Sequence, residues 1–60
     1  MGLPQDDFIL LSYVNTKLRD EYSSLEDFCT AEGAETDQVA AKLNGIGYYY
    51  DEEENAFKRA

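Results

Sequence analysis

The apolar side chains of this chain change their spacing once, and that change limits what its two parts can become. From Leu10 to Leu43 they recur every three or four residues. At Tyr48-Tyr49-Tyr50 three aromatic residues stand together, so Tyr48 and Tyr50 share one face, and Phe57 joins it after a polar break. A helical part closed by a short hairpin satisfies both periods.

The helical part divides at its caps and glycines. Asp6 is placed to accept from the orphan amides that open a helix, and Asp7 suits the positive end of its dipole. The spacing predicts a first helix over about 6–22, with Leu10, Leu11, Val14 and Leu18 inward and Phe8 and Tyr22 near its ends. Asn15, Thr16, Lys17, Arg19, Asp20 and Glu21 fill its other face, while Ile9 and Tyr13 widen the apolar arc. Ser23 and Ser24 each precede an acid by three residues, the pattern of a capping box, and open a second helix over about 24–32. Leu25, Phe28 and Cys29 form its inner face, and Gly33 stops it in a left-handed conformation. Thr36 is the expected cap of a third helix over about 36–44, with Val39, Ala40 and Leu43 inward, Gly45 closing it and Ile46 folding back.

The hairpin is predicted at about 48–50 and 56–58, with Tyr48, Tyr50 and Phe57 in the core and Tyr49 outward. Two strands alone are marginal in water, so the hairpin must pack on the helices. Arg59 and Ala60 are expected to fray, and residues 1–5 to form a loose lead-in. The fold class is therefore mainly α: a three-helix, helix-turn-helix-like domain with a short C-terminal β-hairpin, winged-helix-like in plan.

At 60 residues the chain makes one domain, 1–60, with a core too small for a deep substrate cavity. Its eight aromatic residues set it apart from disordered acidic chains. The single cysteine, Cys29, permits no internal disulfide and points to a reducing, cytoplasmic setting. No apolar stretch approaches the ~20 residues that span a bilayer. The opening Met1 to Leu11 has neither the basic flank of a signal peptide nor the Ser or Thr that N-myristoylation wants where Asp6 stands.

The polar residues narrow function chiefly by exclusion. There is no histidine, no zinc-ligand spacing, no phosphate-cradling glycine loop and no base beside Cys29, whose neighbours Glu26 and Asp27 disfavour a thiolate. No catalytic, cofactor-binding or metal-binding residue is expected, and an enzyme is not. Asp51 to Glu54 lacks the spacing of a calcium loop and reads as a solvated turn guarding the hairpin edge. A helix-turn-helix could present Gln38, Lys42 and Asn44 to nucleic acid, helped by Lys58 and Arg59. The net charge of -8, four negative charges at the wing tip and Asp37 on the recognition helix all oppose phosphate contact. The basic residues Lys17 and Arg19 read as a solvated face, with Asn15 bonding the following loop. What remains is a protein-interaction or self-association module, with Tyr13, Tyr49 and Ile9 as its candidate surface, since tyrosine is enriched at interface hot spots.

The chain also resembles a small bacterial family. Leu3-Pro4, Asp6, the run Phe8 to Asp20, the run Ser24 to Cys29, then Lys42-Leu43, Ile46-Gly47-Tyr48, Tyr50-Asp51, Asn55 and Phe57 resemble the domain-of-unknown-function family numbered 4250. Leu11 to Asp20 and Ile46 to Tyr48 are the most specific pieces. The resemblance implies a stand-alone cytoplasmic protein of this length. It carries no activity and no functional residues to transfer. The chain departs from the family pattern at Asp7, where a proline is common, and in a less acidic Gly33-Ala34 turn.

Overall fold

The computed structural model describes residues 3–60, so Met1 and Gly2, with the start of the expected lead-in and the myristoylation question, lie outside the described residues. Three helices, α1 (Asp7–Asp20), α2 (Leu25–Glu32) and α3 (Thr36–Asn44), are followed by β1 (Tyr48–Asp51) and β2 (Ala56–Arg59). The two strands form one antiparallel hairpin, with Tyr48 opposite Arg59, Tyr49 opposite Lys58, Tyr50 opposite Phe57 and Asp51 opposite Ala56.

Local chemistry accounts for most of the element ends. Asp6 Oδ1 accepts from Phe8 N at 2.9 Å and Ile9 N at 3.1 Å, capping α1 as its sequence predicts. Of the two serines, Ser24 is the cap of α2, its hydroxyl accepting from Asp27 N at 3.1 Å. Ser23 instead donates to Asp27 Oδ2 at 2.9 Å. Gly33, at φ 72°, turns the chain out of α2. Ala34 N then bonds Cys29 O at 2.8 Å and Gly33 N bonds Thr30 O at 3.2 Å, the paired closure of a Schellman motif.

Several ends differ from expectation. α1 stops at Asp20, short of Tyr22: Tyr22 N bonds Lys17 O at 3.1 Å instead of Leu18 O, which Asn55 takes. α3 is capped one residue early, at Glu35, with no side-chain hydrogen bond, so Thr36 is its first helical residue. Gly45 remains right-handed at φ -62°. α3 does end at Asn44 with Gly45 as its cap, as expected, and the left-handed step comes two residues later at Gly47, φ 90°. Arg59 and Ala60 do not fray: Arg59 pairs with Tyr48, and Ala60 N donates to Gly47 O at 2.9 Å.

The core is Leu10, Val14 and Leu18 from α1, Leu25, Phe28 and Cys29 from α2, Val39 and Leu43 from α3, and Phe57 from β2. Leu11, Tyr22, Ile46, Tyr48 and Tyr50 pack around it half-buried, and Ala40 is also only half-buried. Tyr13 and Tyr22 both meet the Phe28 ring edge-on, at 6.1 and 5.7 Å. Phe8 is not part of this packing; it is 62% exposed. At ~100° per residue it stands about 200° round the helix from Leu10, outside the inward arc.

Two asparagine side chains fasten the hairpin to the helices. Asn15 pairs with both backbone groups of Phe57: its Nδ2 donates to Phe57 O at 3.2 Å and its Oδ1 accepts from Phe57 N at 2.8 Å. The amide so occupies the outer edge of β2, where a further strand would otherwise pair. Asn55, at φ 53°, donates to Leu18 O at 3.1 Å and Tyr22 O at 2.9 Å, orphan carbonyls at the end of α1. Its Oδ1 accepts from Tyr50 at 2.6 Å, and the Tyr50 hydroxyl accepts from Leu25 N at 3.2 Å. One Asn–Tyr pair therefore serves the end of one helix and the start of the next.

Asn55→Ala strands three polar partners and places a Cβ residue less suited than Asn to a left-handed backbone, so it should cost about 2–4 kcal/mol. A domain of this size has only roughly 3–9 kcal/mol in total. Urea titration followed by circular dichroism should show the midpoint collapse in this variant. A smaller loss, about 1–3 kcal/mol, is expected for Asn15→Ala. Losses under about 0.5 kcal/mol in both would show that the amides do not hold the hairpin.

Candidate functional site

Helix packing decides which polar side chains remain available. Lys17 Nζ lies 2.8 Å from Glu21 Oε2, Arg19 Nε 2.8 Å from Asp20 Oδ1, Lys42 Nζ 3.0 Å from Asp7 Oδ1 and Lys58 Nζ 3.7 Å from Glu54 Oε1. Among the described residues Arg59 is the one basic side chain outside an ion pair. The Lys17–Glu21 hydrogen bond, and next its charge attraction, raise the Lys17 ammonium above its usual range. The hydrogen bond from Arg19 lowers the Asp20 carboxyl.

These pairings disperse the alternative nucleic-acid face. Lys42 is turned toward the N-terminal segment, where it also donates to Gln5 O at 3.3 Å. Asn44, with its amide oriented as its neighbours require, donates to Tyr48 O at 2.8 Å and Ala40 O at 3.1 Å, tying α3 to β1. Gln38 is exposed beside a shallow cleft of about 350 Å³ floored by Leu3, Leu10 and Val39. Lys58 lies on the hairpin opposite Tyr49, paired to an acid. Of these residues only Lys42 and Lys58 are cationic, and each faces a carboxylate, Asp7 and Glu54.

The acidic turn has a structural use for its first member. Asp51 Oδ1 accepts from Glu53 N at 2.9 Å and Glu54 N at 3.3 Å, folding the chain back toward Asn55. Glu52, Glu53 and Glu54 remain exposed. Among the described residues, no three His, Cys, Asp or Glu side chains gather as metal ligands. Two further clefts, about 490 Å³ beside Leu25, Thr36 and Tyr50 and about 450 Å³ beside Asn15, Arg19 and Asn55, are open to solvent, and Ser24, Tyr50, Asn15, Arg19 and Asn55 in their walls are already engaged in caps or pairs.

Cys29 is sealed, 1% exposed, between α2 and α3. Burial pushes its thiol above the ordinary range, and a hydrogen bond with Thr36 opposes this more weakly. Such a thiol packs as a small apolar side chain.

The three candidate interaction residues do not form one patch. Tyr13 is half-buried, its ring on Phe28 and its hydroxyl donating to Glu32 Oε2 at 3.1 Å. Partial burial first, then the bond to Glu32, raises its phenol above the usual value, while Lys17, 5.6 Å from the ring centroid, pulls it down. Tyr49 is 49% exposed, on the hairpin face opposite the one that carries Tyr50 and Phe57. Ile9 is 59% exposed on the first turns of α1, next to the equally exposed Phe8. Phe8 is the surface residue that apolar content alone misplaces; its angular offset from Leu10 is the signal that finds it.

Among the described residues no helix is long and apolar enough to cross a membrane. The family model described as a domain of unknown function (DUF4250) matches residues 4–57. No curated protein and no solved structure matches the chain. The chain belongs to that family of unknown function, and the resemblance read from its motifs holds.

Native Cys29 should react with a disulfide reagent at least on the order of 10³-fold more slowly than in denaturant, because labelling must wait for opening of the core. Rapid stoichiometric labelling of the native protein would overturn the sealed-core assignment. Tyr13 and Cys29 both have raised values when folded, so their contributions are complete below the unfolded values and are lost as pH rises through the folded ones. Stability should hold to about pH 8.5 and then fall, and Tyr13→Phe should flatten part of that fall.

Proposed function

We propose that this member of the family is a small cytoplasmic protein-interaction or self-association module, not an enzyme, and that its working surface is the exposed N-terminal half of α1. The observation that carries the reading is the pair Phe8 and Ile9. They are 62% and 59% exposed on a domain whose core is otherwise closed. Single exposed apolar residues are ordinary, but two adjacent ones on the first turns of a capped helix form a contact-sized feature. Tyr13 is engaged with Phe28 and Glu32 and adds little to that contact area. Tyr49 offers a separate aromatic on the hairpin.

A binding role is also favoured by the state of the polar groups. The one thiol is buried, and four of the five basic side chains face carboxylates of their own chain. Duplex nucleic acid would have to displace those carboxylates to gain phosphate contacts. A free buried cysteine fits a reducing cytoplasm.

A photo-crosslinking amino acid placed at Ile9 in the producing cell should form covalent adducts, homotypic or with another protein. The same group at Glu53, on the acidic turn, should not. Phe8→Ser with Ile9→Ser should abolish association while changing stability by no more than about 0.5 kcal/mol, as expected of surface sites. Equal adduct formation at Ile9 and Glu53, or none at Ile9, would remove the basis for assigning α1 as the working surface.

A further inference from the structure

We propose that the occupant of the α1 face is a second copy of this chain, packed α1 against α1, antiparallel, about a two-fold axis near Ser12. This rests on the reading of α1 as the working surface and specifies its partner.

The argument begins with charge. Residues 8–16 are nine consecutive positions without a charged side chain, in a chain that carries 13 acids and 5 bases. Phe8, Ile9, Ser12 and Thr16 are the exposed members of that run. Their spacing places them along one outward strip of the helix, with Arg19 continuing it. Two copies, each at -8, repel on approach, and most contacts would bring carboxylates together. The α1 strip is where they can touch without burying like charge. It also holds no carboxylate between Phe8 and Thr16 that would select a cationic partner instead.

The ends of the strip are complementary under two-fold symmetry. Asp6 stands at one end and Arg19 at the other. An antiparallel pair centred on Ser12 sets Phe8 of each copy against Thr16 of the other and brings Arg19 toward Asp6. The two helix dipoles then also oppose favourably. Arg19 is free to make this exchange, because its pair with Asp20 is exposed (74% and 51%), and such pairs contribute little. Serine at the crossing point permits the close helix approach, about 8 Å, that small side chains allow. One helix face per copy buries less than the ~1,200 Å² total of a stable complex, so the dimer is weak and concentration-dependent.

Two readouts test the pairing. Diffusion measured by NMR up to about 1 mM protein should show a monomer–dimer equilibrium, since a dissociation constant of that order populates both species. Raising NaCl from about 20 mM to about 0.5 M should tighten it by ~10-fold as repulsion between the copies is screened. Ile9→Glu should weaken it at least ~10-fold. Independently, Ser12→Cys should oxidise to a disulfide-linked homodimer faster than Thr30→Cys on the exposed face of α2, with Cys29 buried and silent in both. A monomer at about 1 mM in high salt, or equal oxidation at positions 12 and 30, would overturn the proposal. Adducts at Ile9 with a different protein alone would also overturn it, while leaving α1 as the interaction surface.

Discussion

The domain depends on how a four-residue-per-strand hairpin is kept attached to three short helices. Two such strands cannot hold themselves in water, and the hairpin puts one fully buried residue, Phe57, into the core, with Tyr48 and Tyr50 packed half-buried against it. The rest is done by amide side chains. Asn15 reads the Phe57 backbone as a neighbouring strand would, and Asn55 with Tyr50 bridges the end of α1 to the start of α2. These bonds are formed in partly buried positions, where an unmade partner is expensive, so each is a condition on the others. The same clamps close the outer edge of β2, which leaves the outward strip of α1 as the more open place for contact.

The helical layout was legible because its signals are local. Asp6, Ser24 and Gly33 act within a single turn of chain, and the spacing of Leu10, Val14 and Leu18 names the inward arc directly. What was not legible depends on distance in sequence. Asn15 and Phe57 are forty-two positions apart, and nothing in the residues around Asn15 says that its partner is a strand backbone. Its position in sequence points instead to a bond with the following loop. Asn55 reads as one more polar turn residue until Leu18, Tyr22 and Tyr50 converge on it. Gly45 is the C-cap of α3, as its position indicates, but it stays right-handed, and the left-handed turn comes at Gly47, where the hairpin must begin. Phe8, which the sequence places only near the end of the first helix, is exposed because it stands about 200° round from Leu10.

The site was legible only in part. Ile9 was identified as exposed, while Tyr13 proved to be engaged with Phe28 and Glu32 and Tyr49 to lie on the hairpin's outer face. Charge gave the more durable inference. A chain at -8 that pairs four of its five cations with its own carboxylates presents few free cations to phosphate, and the proposed binding role rests on this. Against that background an uncharged run of nine residues on an exposed helix stands out, because charge is what the rest of the surface supplies.

The central claim is that hairpin and helices form one cooperative unit joined through the two asparagines. Native-state hydrogen exchange tests it most directly. The amides of Phe57 and Leu25, which bond Asn15 and Tyr50, should exchange only by global unfolding, with the same opening free energy as Val14 and Leu18 in the centre of α1. If Phe57 and Leu25 instead exchange early, together with Glu53 and Glu54 at the hairpin tip, the hairpin opens by itself and the account is wrong.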